Sequence, residues 1–334
     1  MTASRPPIGD EHIDRFLDRV KGRKSEGTWK GRHTDLKQFH NWIVENEKGD
    51  VTDLSAQDID SYLTQTKNKG YAPHTVERHY HSIRALYRSL GGYFGVLNEE
   101  DNPLEDFEYE WVKDLMGGSK KTEGGRDDFI HITPEEVDLM VENAPKPRTR
   151  NQLMFRLLFQ TGVRAQECRD IRLEDVSPAG VYHNDSYPDG RAIDVYSQKT
   201  DEWRTVCYQP SLDTLMSLWL NQIRETYAMA EKSEYLFLTN RSEKLGRSRI
   251  QELVRETAEE AGIQKELYVD PNGKTHHRIT PHAFRHGHCM HAVKQDIDIA
   301  FVSEHAGHSS LNMTKRYLEA IDSGVQNAYK RFES

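Results

Sequence analysis

A chain of 334 residues is longer than one hydrophobic core usually serves, so two domains are expected. Hydrophobic residues at 36% and charged residues at 30% suit a polar surface, and with no run of about 18 apolar residues and no apolar N-terminal core the sequence offers neither a membrane span nor a secretory signal. The net charge of −9 argues at first sight against a nucleic-acid partner, yet it is unevenly spread: NEEDNPLEDFEYE (98–110) holds seven acids and no base, while RVKGRKSEGTWKGRH, RSEKLGRSR and GKTHHRITPHAFRHGH are basic or His-rich.

From about residue 12 to residue 92 the pattern predicts four helices. HIDRFLDRV opens, and TWKGRHTDLKQFHNWIVENE follows with Leu36, Phe39, Trp42 and Ile43 near helical spacing. SAQDIDSYLTQTKNKG starts on Ser55 and Asp58, a capping pattern, and APHTVERHYHSIRALYRSLGG carries Pro73 at its start. These elements predict a helical domain over 8–112. The Gly-rich, charged stretch GGSKKTEGGRDD marks a linker at 113–130. A second domain, 131–323, opens on TPEEVDLMVENA, with Thr133 and Glu136 as a capping box. RNQLMFRLLFQTG predicts an apolar helix ending at Gly162. RAIDVYSQ and WRTVCYQ predict two strands joined by KTDE, followed by helices at 211–229 and 249–261. LYVDPNGKTHHRI predicts a second hairpin, and three short helices finish the domain. In the tail, 324–334, Val325, Ala328, Tyr329 and Phe332 form an apolar stripe on a short helix, placed either against its own domain or on a neighbouring protomer. The fold class is therefore mainly α with small β hairpins.

Chemistry-bearing residues sit in islands far apart. TGVRAQE puts Arg164 just after a glycine turn, with Glu167 one helical turn on. Lys199 stands at a hairpin tip, where a long cationic arm can reach a ligand. TPHAFRH sets His282 and Arg285 on one face of a starting helix. AGHSS supplies His308, and Tyr317 follows nine residues later. Each alone reads more simply: Arg164 as a surface cation, His282 or His308 as a cap or core histidine, Lys199 as a turn lysine, Tyr317 as core. Cys168, Cys207 and Cys289 fit no disulfide framework and suit a reducing cytoplasm. His286, His288, Cys289 and His291 suggest a metal, His288 and His291 being three apart. No second pair at finger spacing accompanies them, so neither metal nor cofactor is expected.

The set in its order, TGxRxxE, a lysine five residues before R-T-V, TPHxxRH, and GHSS with tyrosine nine after the histidine, resembles the tyrosine recombinase, or phage integrase, family over about 133–319. The chain departs from it in carrying His305 and Ala306 where members tend to have leucines, and in the elaboration before His282. The resemblance implies a helical, SAM-like core-binding domain and a mixed α/β catalytic domain that close on double-stranded DNA at a specific recombination site. It also implies dimers and tetramers on that DNA. Transfer of a phosphodiester puts charge on two non-bridging oxygens, which suits a pair of guanidinium groups, Arg164 and Arg285. Tyr317 would be the nucleophile and Lys199 the general acid to the departing 5′ oxygen. By resemblance, His282 shares in proton transfer with the tyrosine, His308 bonds the phosphate, and Glu167 steers the cluster. The product is a 3′-phosphotyrosine and a free 5′-OH, which needs neither metal nor ATP. A type IB topoisomerase would share this chemistry, and a catalytically silent DNA-binding relative would keep only the fold.

Overall fold

The computed structural model describes residues 5–115, 130–308 and 310–320. Its contacts divide the chain into two compact units, 1–124 with 269–274, and 125–268 with 275–334.

The first unit is helical: α1 (Glu11–Lys21), α2 (Glu26–Glu45), α3 (Ala56–Asn68), α4 (Pro73–Gly92) and α5 (Tyr109–Leu115). The predicted caps are present. Ser55 and Asp58 exchange hydrogen bonds as a capping box, and Pro73 occupies the first turn of α4, where its missing N–H has no partner to lose. Apolar positions three and four apart on these helices converge in one core containing Phe16, Leu36, Phe39, Ile59, Ile83 and Leu86. A buried carboxylate pins α2 to α4: Asp35 accepts from Arg78 at 2.8 to 3.2 Å and from the Ser82 hydroxyl at 2.8 Å. Helix α5 was not anticipated in the acidic stretch, and it continues to Leu115, through the first residues expected to be linker. Its apolar signal is thin; Val112 is buried and Trp111 meets Phe107 edge to face, the ring centroids 5.0 Å apart. Residues 116–129 of the expected linker, and the whole of the expected tail helix, lie outside the described residues.

The second unit is built around the apolar α7 (Arg148–Thr161). Helix α6 (Pro134–Glu142) precedes it, opened by the Thr133–Glu136 capping box, and α8 (Ala165–Asp170) follows. Strands β1 (Val176–Ser177), β2 (Ala192–Ser197) and β3 (Glu202–Cys207) form an antiparallel sheet in the order β1-β2-β3. The β2–β3 register pairs Ile193 with Val206 and Val195 with Arg204. Then come α9 (Asp213–Leu218), α10 (Arg247–Glu260), the hairpin of β4 (Glu266–Val269) and β5 (Thr275–His277), α11 (Pro281–Lys294), α12 (Ile299–Ala306) and α13 (Leu311–Ala320). Helix α11 crosses α7, and α12 meets both β3 and α13.

The helix expected over 211–229 is broken. After α9 the chain widens into a π turn at 219–223 and tightens into a 3₁₀ turn at 224–226. The cause is a pair of large polar-ended side chains that turn to one segment. The Trp219 indole donates to the Leu236 carbonyl at 3.0 Å, and the buried Arg224 donates to Ser233 O at 2.6 Å and Tyr235 O at 2.9 Å. A straight α-helix would set residues five apart about 140° around the axis from each other. Among the described residues no helix is long and apolar enough to cross a membrane.

Candidate active site

Two left-handed glycines end two helices and bring the islands together. Helix α7 stops at Gly162, φ +61°, where a Cβ would lie 2.6 Å from His288 Cδ2, so only glycine fits. The Gly162 carbonyl accepts from Arg285 Nη1 at 2.9 Å. Helix α12 stops at Gly307, φ +67°, whose carbonyl accepts from Arg164 Nη2 at 3.0 Å and lies 3.5 Å from Arg285 Nη2. One carbonyl thus gathers two guanidinium groups 121 positions apart in sequence.

Arg164 caps α8 and is held at both ends by Glu167: its N–H donates to Oε2 at 2.8 Å and Nη1 to Oε1 at 2.6 Å. Glu167 is buried, which alone would raise its pKa. The hydrogen bonds and charge of Arg204, then those of Arg164, hold it at about 2, so it stays ionised. Arg285 is also buried; desolvation first, then the neighbouring Arg164, brings its pKa down to about 10, still charged at neutral pH. His308 hydrogen bonds Thr314 Oγ1 at 2.7 Å and stacks on Tyr317, the ring planes 9° apart. Burial, then the Arg285 and Arg164 charges, depress His308 to about 4, leaving a neutral imidazole.

Lys199 is exposed on the 198–201 loop between β2 and β3. It lines a cavity of about 450 Å³ together with Arg164, Arg247, Thr280 and His282. Three cations and an imidazole around one opening suit an anion. His282 is lowered by burial, then by Arg285 and Arg164.

Tyr317 is 2% exposed, and its hydroxyl lies 2.6 Å from His286 Nδ1. Burial first, then Cys289, pushes its pKa well above the usual phenol value, so the hydroxyl is protonated. The ring within hydrogen-bond reach of this hydroxyl is therefore His286, one turn beyond His282 on α11; the two imidazoles stack at 6.2 Å. Burial, then His282, lowers His286 to about 4. Among the described residues no group of three or more His, Cys, Asp or Glu is arranged to hold a metal ion, and His288 instead bonds the Phe159 carbonyl at 2.9 Å.

From the sequence, Arg204, Thr314 and Arg247 had no assigned role, and His286 entered only as a possible metal ligand. Thr314 could have been found from its place one turn before Tyr317 on the same helix face. Arg204 could have been found from strand alternation, which turns it inward beside an outward Trp203.

Comparison with known proteins identifies the family of the chain. The model of the phage integrase family matches residues 130–323, and that of the phage integrase N-terminal SAM-like domain matches 13–91. Tyrosine recombinase XerC of Roseiflexus sp. (strain RS-1) is 24% identical over 316 residues, which span 92% of this chain and 88% of that protein. Tyrosine recombinase XerD of Staphylococcus aureus (strain Mu50 / ATCC 700699) is 23% identical over 328 residues, 97% of this chain and 98% of that one. Among solved structures, the Tn1549 transposon integrase in complex with transposon right end DNA superposes with a TM-score of 0.68 at 16% identity, covering 97% of this chain and 99% of the other. XerH site-specific recombinase bound to palindromic difH substrate gives 0.67 at 17%, covering 100% and 92%. With a family model spanning more than half its length and a second model matching its N-terminal helices, the chain belongs to the phage integrase family of tyrosine recombinases.

Proposed function

We propose that the protein is a site-specific recombinase that cuts and rejoins double-stranded DNA through a 3′-phosphotyrosine, with Tyr317 as nucleophile. The observation that carries the reading is the convergence of Arg164, Arg285 and His308 on the Gly307 turn, with Tyr317 stacked on His308. A scissile phosphate seated there would meet two guanidinium forks on its non-bridging oxygens, aligned before charge develops. The Tyr317 oxygen attacks phosphorus as its proton leaves to a neighbouring imidazole, His286 or His282. The bond to the 5′ oxygen breaks, and Lys199 gives that oxygen a proton. His308 donates to the phosphate, and Glu167 holds Arg164. The phosphotyrosine keeps the phosphodiester's energy, so a partner strand's 5′-OH can reverse the step.

The partner is duplex DNA carrying a recombination site, bound by dimers that pair into tetramers in the cytoplasm. Support comes from relatives of the same fold: XerH bound to its difH substrate, and a lambda integrase dimer bound to a core site. The test uses nicked duplexes tiling the DNA that flanks the gene. One of them should yield an SDS-stable protein–DNA adduct, in EDTA as well as in magnesium, because arginines supply the charge that a metal would otherwise bring. Absence of an adduct on every duplex, with DNA binding intact, would point to a catalytically silent DNA-binding relative.

A further inference from the structure

Strand β3 inverts the usual pattern at one place. Trp203 is 61% exposed, while the side chain of Arg204 is only 12% exposed. A cation turned inward must find an anion, since burying an unpaired charge is costly. Arg204 finds Glu167: Nη1 donates to Oε1 at 3.2 Å and Nη2 to Oε2 at 2.9 Å, a two-pronged fork. Its Nε donates to the His305 carbonyl at 3.0 Å. All three guanidinium nitrogens are thus engaged with protein.

We propose that Arg204 is a positioning residue for strand transfer, one that aims Arg164 through Glu167 and holds the 305–308 turn that carries the Gly307 carbonyl and His308. The inference rests on the recombinase reading. Two arginines, Arg164 and Arg204, bond one buried carboxylate, and Arg285 meets Arg164 at the Gly307 carbonyl. If Glu167 had only Arg164 for a partner, that pair would satisfy itself, and the guanidinium would face its carboxylate rather than a phosphate. By taking the fork position, Arg204 neutralises Glu167 and leaves the charges of Arg164 and Arg285 for substrate. The turn is shaped around the same group: a Cβ on Gly307 would lie 2.9 Å from Arg204 Cζ and Nε. Strand β3 adds a second tie, from the Cys207 N–H to His305 Nε2 at 3.0 Å. The strand that leads away from the Lys199 loop therefore fixes two other parts of the site.

Two measurements on Arg204→Gln and Arg204→Lys test this. The first is independent of activity: the titration of the ¹³C-labelled Glu167 carboxyl by NMR. It should rise from about 2 to well above that value in Arg204→Gln, since burial is no longer offset. The second is adduct formation on a duplex that the wild type cleaves. Arg204→Gln should bind that duplex within ~threefold of wild type yet cleave it ~100-fold more slowly, the cost of a slightly misplaced catalytic group. The acid limb of its pH–rate profile should move up. Arg204→Lys should regain ~tenfold, keeping the charge without the fork. Glu167→Gln combined with Arg204→Gln should be no slower than the slower single variant, because both act on Arg164. The proposal is overturned if Arg204→Gln cleaves at the wild-type rate, if the Glu167 titration does not move, or if the two substitutions multiply. If Arg204→Gln does not fold, Arg204→Lys decides: wild-type cleavage with an unshifted acid limb overturns the proposal. Should the wild type form no adduct, the recombinase reading fails, while the Glu167 titration still reports on the Arg204 contact.

Discussion

Tyr317 is held by its hydroxyl on one side and by its ring on the other, between His286 and His308. Replacing it with phenylalanine removes the oxygen and leaves the stacking. Tyr317→Phe should therefore retard DNA as wild type does and give no SDS-stable adduct; an adduct from this variant would move the nucleophile to another residue. Lys199 stands outside this packing, exposed on its loop, so its loss should affect chemistry and not stability. Lys199→Ala should cleave an ordinary duplex ~100-fold more slowly, a value within the usual range for a general acid. It should approach the wild-type rate on a duplex with sulfur at the bridging 5′ position, because a thiolate leaves without a proton. Lack of rescue would put the acid elsewhere. Residue types and spacings singled out Arg164, Glu167, Lys199, His282, Arg285, His308 and Tyr317 as candidates in the sequence. Which imidazole touches the tyrosine was not legible, because His282 and His286 lie on the same helix face and only packing chooses between them.

At the scale of elements, the glycines report how closely the pieces approach. Gly287 lies within α11, where a Cβ would fall 2.2 Å from the carbonyl oxygen of Ile132. That neighbour is backbone, and Ile132 also donates its N–H to the Ala283 carbonyl at 3.2 Å, so it has little room to give. Alanine would favour the helix by about 1 kcal/mol, but the overlap should cost more. Gly287→Ala should lose a net ~1–3 kcal/mol in urea unfolding; a more stable variant would mean that the crossing is looser than described. The helices with side-chain caps, such as α3 and α6, could be read from sequence because local interactions specify them. The break after α9 and the short α5 could not, since each depends on distant partners, Leu236 for Trp219 and the first unit's core for Val112.

For the whole molecule, the buried histidines set an acid limit. His286, His305 and His308 are depressed to about 4 and His288 to about 3, each mainly by burial. Unfolded, they would titrate near ~6.5. Between those values the unfolded chain binds more protons than the native one, so stability falls as pH drops from about 6.5 toward 4. The melting temperature should fall by at least ~5 °C between pH 7 and pH 5. Carboxylates such as Glu167, held at about 2 in the folded protein, add to the loss only below about pH 5, where the unfolded carboxyl begins to take up protons. A flat profile would mean that these rings stay hydrated or paired. The two-part, mainly helical architecture was readable from composition and periodicity, whereas these histidine environments arise only when segments far apart in sequence pack together.

The bond from Arg164 to the Gly307 carbonyl closes a loop of 143 positions. Contacts of such span form late, because the chain must be ordered before they are reached. Helices such as α3 and α6, opened by their own capping boxes, are specified locally and need not wait. In refolding from urea, helical circular dichroism should thus recover first, and competence to form the covalent adduct should lag behind it. If the two return together, the docking of the 305–308 turn belongs to the folding nucleus. If activity lags, the molecule regains its shape before it can break a strand, an order of events that keeps half-folded copies from nicking DNA they cannot reseal.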